Sequence, residues 1–150
     1  MHICAWQIAG IVALCPVHAC GDGGTGVPDL DISGDWAFSE AVFDEAREFS
    51  CNNGGTFTFD QEGSRFTGTN NQVGTCTIGE DTFENSGRFI VINGSVVGMT
   101  VMFRTPEGTP CDYVGSLSGD PPIAASGTVS CVGTNRGQPL NATGTWQMTR

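Results

Sequence analysis

The residues of this 150-residue chain that could do chemistry are carboxylates and cysteines. Glu80, Asp81 and Glu84 stand together, and a pair of carboxylates is the machinery of glycoside hydrolysis. Nothing beside them supplies the apolar surroundings that would raise one pKa, so an exposed acidic loop from Gly79 to Ser86 is the expectation. Asp29-Leu30-Asp31-Ile32-Ser33-Gly34, with Glu40 in the twelfth position, fits the spacing of a calcium loop. That loop needs an entering helix, which the Gly- and Pro-rich residues before it cannot form. The same residues fit a strand whose inward face is Ile32, Gly34, Trp36 and Phe38, so no metal is expected. His2 and His18 both precede Cys20, and the six basic residues are all arginine. A chain cleaved before Cys20 has no Ser-His-Asp or Cys-His nucleophile, no histidine-bound zinc and no Schiff-base lysine. No catalytic residue, no cofactor and no enzyme activity are expected.

The segment Ile3–Ala19 is mostly apolar, carries no charge and ends Val17-His18-Ala19-Cys20, the form of a signal peptide. It resembles a bacterial lipoprotein signal, in which small or aliphatic residues precede a cysteine that is diacylated and becomes the new N-terminus. On that resemblance residues 1–19 are the signal, Cys20 is the lipid attachment site and residues 20–29 form a flexible spacer before a domain at 30–150. Localisation is then the bacterial cell envelope, with the membrane touched only through the lipid. Plain secretion and a retained helix are the alternatives, although about 17 apolar residues broken by Pro16 fall short of the ~20 a bilayer requires. The net charge of −10 repels phosphate backbones, so nucleic acid is not a partner.

With Cys4, Cys15 and Cys20 set aside, Cys51, Cys76, Cys111 and Cys131 remain, and an even number in an exported chain suggests two disulfides. Three pairings are open, and the strand pattern chooses between them. Gly55–Gln61 and Phe66–Thr69 alternate at period two around Gly63-Ser64, a two-residue hairpin turn. The register that sets Glu62 opposite Arg65 sets Cys51 opposite Cys76, with Phe57, Phe59 and Phe66 on the cysteine face. A second hairpin turns at Asp120-Pro121-Pro122 and sets Cys111 opposite Cys131, with Tyr113, Leu117, Ala125 and Val129 on the same face as the cysteines. Between the two lie Gly87–Ile92, Gly94–Gly98 and Val101–Thr105, read as three strands with Asn93-Gly94 as a turn. Glu40–Phe49 has apolar residues at helical spacing, which suggests a short helix or an irregular loop.

Ile32–Phe38 and Ala142–Met148 each hold Gly-x-Trp in an alternating strand. Pairing them closes the sheet and leaves no open edge, and about eight strands over this length make an antiparallel up-and-down barrel. The fold class is therefore all-β. In Gly34-Asp35-Trp36 the chain resembles the lipocalin and avidin-like barrels, and among them small bacterial envelope lipoproteins. That resemblance implies that Trp36 plugs the closed end.

Trp36, Phe57, Phe59, Phe66, Tyr113 and Trp146 either line a pocket for a small apolar or sugar ligand or simply fill the interior. The leading expectation is an acidic, lipid-tethered, non-enzymatic binding domain. The alternatives are a protein-binding module, such as an inhibitor of exported proteases acting through the loops Thr105–Pro110 and Gly133–Asn141, and a purely structural envelope protein.

Overall fold

The computed structural model of the protein describes residues 30–135 and 137–150. The lipid and signal assignments, with Cys20, lie outside them. Nine strands follow one another: β1 (Gly34–Asp44), β2 (Phe49–Glu62), β3 (Arg65–Ile78), β4 (Asp81–Glu84), β5 (Gly87–Val97), β6 (Thr100–Thr105), β7 (Cys111–Ser118), β8 (Ala124–Asn135) and β9 (Gln138–Thr149). Every pairing is antiparallel, β1 pairs with both β2 and β9, and β2–β3 completes the ring. β4 and β5 pair with β3 in one continuous register, from Ile78 opposite Asp81 to Gly68 opposite Val91. β4 is thus the top of the β5 wall, and the closed barrel has eight walls.

Period-two alternation decides which side chains go inside. Trp36, Phe38, Glu40, Val42 and Asp44 are buried along β1, while their neighbours face solvent. This alternation overrules the helical spacing read over Glu40–Phe49: the segment is strand to Asp44, a single 3₁₀ turn at Glu45–Arg47, then strand again from Phe49. The acidic loop expected over Gly79–Ser86 is likewise a tight turn at Gly79-Glu80 followed by β4, because Gly79 takes the positive φ the turn requires. Asn93-Gly94 is not a hairpin turn. It is a bulge inside β5, with Asn93 at φ 54° and register shifts against both β3 and β6. A side chain on Gly94 would overlap the Phe66 ring, so the glycine is what lets that ring enter the core.

Both disulfides pair as the registers dictate. Cys51 faces Cys76 across β2–β3 and Cys111 faces Cys131 across β7–β8, and each pair is bonded. The salt bridge found among the described residues is Arg104–Asp112 at 2.9 Å, on the outer face of β6–β7. The two ends of the barrel differ. At the end holding the Gly63-Ser64 turn, Trp36 is fully buried, its indole N–H donates to the Ile32 carbonyl at 2.7 Å, and the Arg150 guanidinium lies 4.6 Å above its ring. Arg150 also donates to the carbonyls of Ser33 and Asp31, tying the last residue across the first strand's entry. Trp36 therefore sits at the closed end, and both disulfides sit towards the other.

Replacing Cys51 and Cys76 together by Ala should lower the unfolding free energy by about 3 kcal/mol, the chain-entropy value for a loop of this length. Urea unfolding of the double variant against the parent measures it, and no loss of stability would show that the packing alone fixes this hairpin.

Candidate functional site

Midway up the barrel the inward positions change from aromatic to polar. Glu40 of β1 is 7% exposed and accepts two hydrogen bonds, from the Asn53 amide at 2.7 Å and from the Tyr113 hydroxyl at 2.9 Å. Burial pushes the Glu40 carboxyl above its ordinary value, against the two bonds that favour its charged form. Burial and then the adjoining Glu40 charge push the Tyr113 hydroxyl well above the usual phenol range, so Tyr113 keeps its proton and donates it to Glu40. Asn53 passes the chain onward, since its Oδ1 accepts from the Asn85 amide at 3.1 Å. Its partner across the sheet is Gly74, and any side chain there would collide with Asn53 Oδ1. On the adjoining strand β3 Asn70 donates to Gln72 Oε1 at 3.1 Å, and Asn70 Oδ1, fully buried, has no partner.

Above this polar floor lies a cavity of about 120 Å³ that reaches the open end. Asn53, Asn70, Gln72, Thr105 and Tyr113 supply its polar surface. Both disulfides, Val42, Phe49, Phe83, Phe89 and Leu140 supply its apolar walls. At the lip, the Glu107 carboxylate accepts the backbone N–H of Ile90 at 2.6 Å and so ties the β6–β7 loop to β5, beyond the last β5–β6 pair. Such a mixture of apolar wall and a few convergent polar groups is what small-molecule sites are built from.

The six aromatic residues singled out in the sequence divide between the two halves. Tyr113 alone among them borders the cavity. Phe57, Phe59, Phe66 and Trp146 pack below the floor with Phe38 and Phe103, at centroid distances such as 4.9 Å for Phe59–Phe66 and 5.7 Å for Phe103–Trp146. Trp36, the cross-strand partner of Phe57, lies at the closed end. These rings have one another for neighbours, and the Trp146 indole N–H is already bound to the Thr128 carbonyl at 2.9 Å. The residues that do line the cavity were passed over because most are Asn, Gln and Thr, which read as hairpin surface. Their signal was parity: Asn53 shares the face of Cys51, Asn70 stands opposite Phe57, and Glu40 lies in step with Trp36 and Phe38.

No protein-family model and no curated protein sequence matches the chain. Among solved structures it is similar to the S-type phycobiliprotein lyase CPES from Guillardia theta, at 9% identity and a TM-score of 0.48, over 79% of this chain and 88% of that one. The barrel itself is established by this chain's own strand pairings.

The buried Glu40 makes stability depend on pH in a stated direction. Its folded value lies above the ordinary 4.5, so between the two values the native state holds more protons than the unfolded chain. Stability should therefore fall as pH rises through that window and recover on acidification. Thermal unfolding across the window should show this slope in the parent and lose it in Glu40→Gln. Glu40→Ala, which leaves the Asn53 and Tyr113 donors unpaired, should lose about 2 kcal/mol more than Glu40→Gln.

Proposed function

We propose that this domain is a non-enzymatic binding protein that takes one ring-sized ligand, apolar in body and polar at one end, into the cavity at its open end. The observation that carries this reading is a buried acceptor, Asn70 Oδ1, left unpaired at the floor of a cavity that combines apolar walls with several polar side chains. Buried polar atoms are rarely left without a partner, and a ligand donor would supply one. Size narrows the class. A dry cavity of about 150 Å³ accommodates benzene, so about 120 Å³ suits a single ring and leaves anything longer projecting between the rim loops. Glu40 is an anchor of the floor in this reading, since both of its oxygens are engaged by Asn53 and Tyr113.

The domain is further read as exported and held to the bacterial cell envelope through a lipid on Cys20. Its two disulfides are consistent with an oxidising compartment. Leu30 enters the barrel at the closed end, where the Gln61 amide donates to its carbonyl at 3.0 Å. The open mouth lies at the opposite end of the barrel from Leu30, which suits an attachment on the N-terminal side.

Two measurements test these statements. Single-ring apolar compounds and monosaccharides should raise the melting temperature, and in NMR titrations should shift Phe49, Phe83 and Leu140 while Phe57, Phe59 and Phe66 stay fixed. Shifts centred on the lower aromatic residues, or none with any compound, would refute the site. Cys20→Ser should move the protein from the membrane to the soluble fraction and abolish the acyl mass on the mature N-terminus.

A further inference from the structure

The unpaired acceptor at the cavity floor and the charges around it point to the charge of the ligand, and this inference rests on the binding site just described. Glu40 takes up an N–H of Asn53 and the O–H of Tyr113, drawing both donors below the floor. Asn85 spends an N–H on Asn53 Oδ1, and Asn70 spends one on Gln72. Gln72 and Thr105 still offer donors there, and the Thr105 hydroxyl bonds Tyr113, but Asn70 Oδ1 is buried with nothing bound to it. Only a donor can satisfy that oxygen.

The surroundings favour a donor with positive charge. Glu40 stands one side chain behind the floor and Glu107 at the lip. Glu48, whose carboxylate lies beside Gly79, and Glu80 add to the rim. Among the described residues no arginine lines the cavity itself, although Arg47 lines the adjoining recess that shares Phe49 and Leu140, so the acidic residues outnumber one nearby cation. Three of the walls are phenylalanines, Phe49, Phe83 and Phe89, and an aromatic ring attracts a cation desolvated beside it. The net charge of −10 raises the concentration of any cation near the mouth.

We propose that the cavity selects small ring-bearing primary amines, the ammonium group donating to Asn70 Oδ1 at the floor and the ring lying against the phenylalanine and disulfide walls. A charge-assisted hydrogen bond is roughly twice as strong as a neutral one, so a preference of about tenfold over the matching alcohol is expected.

The test is calorimetric titration of the mature protein at neutral pH with 2-phenylethylamine, 2-phenylethanol and phenylacetate. The account expects the amine to bind about tenfold more tightly than the alcohol and the carboxylate to bind least. Asn70→Leu should erase the amine's advantage, weakening the amine about tenfold more than the alcohol. Glu107→Gln, which keeps an acceptor for the Ile90 N–H, should weaken the amine severalfold and spare the alcohol, and it serves if the Asn70 variant does not fold. Equal binding of amine and alcohol, or tightest binding of the carboxylate, would overturn the amine proposal and leave the ring-binding site standing. If none of the three binds, the amine proposal fails, and the binding reading fails with it only if the wider compound screen is also blank.

Discussion

A carboxylate inside a β-barrel must be bonded or it destabilises the fold, and the rest of this structure is arranged around meeting that demand at Glu40. Its two partners come from different walls: Asn53, thirteen residues away on β2, and Tyr113, seventy-three residues away on β7. Satisfying Glu40 therefore fixes three strands relative to one another across the interior. It also divides the interior. Below the carboxylate every inward position is aromatic or aliphatic, and the rings pack at contact distance. Above it amides are mixed with half-cystines and apolar side chains such as Val42, Phe49 and Leu140, and a cavity begins.

The two halves are stabilised differently for that reason. The lower half needs no covalent help, because Phe57, Phe59, Phe66, Phe103 and Trp146 bury one another and Trp36 with Arg150 closes the end. The upper half lacks that packing, since a cavity leaves its lining side chains without contacts on one face. Both disulfides stand there, one on each of two wall pairs, and both form part of the cavity lining. Cross-links that hold neighbouring strands together can supply what missing core contacts do not, and the mouth stays open without the walls separating.

Much of this could be read from residue order. Two hairpin turns fixed two registers, and the registers alone chose Cys51–Cys76 and Cys111–Cys131 from three possible pairings. Pairing the two Gly-x-Trp segments closes the barrel. The errors came where local chemistry spoke louder than register. Asn93-Gly94 looks like a turn by composition, yet the Phe66 ring needed the space above Gly94 and the pair became a bulge. Ala41, Val42, Ala46 and Phe49 suggested a helix, yet the inward demand of Val42 and Glu40 kept the segment extended. The polar floor was hidden in the same way: Asn53, Asn70 and Gln72 occupy inward positions in a register already known, but amides are usually assigned to solvent. Glu40 and Asn53 are cross-strand partners on β1 and β2, but residue order cannot convey that Tyr113 meets them, because that contact depends on the curvature of the closed sheet.

The most direct test of this account is a carbon-detected NMR titration that follows the Glu40 side-chain carboxyl beside the exposed glutamates, with the Tyr113 hydroxyl proton observed at low temperature. The account predicts that Glu40 titrates at higher pH than the exposed glutamates and that the Tyr113 proton is visible, slow to exchange and coupled to that titration. A Glu40 resonance that titrates together with the exposed carboxyls, or a Tyr113 proton lost to rapid exchange with water, would mean that no such floor divides the barrel.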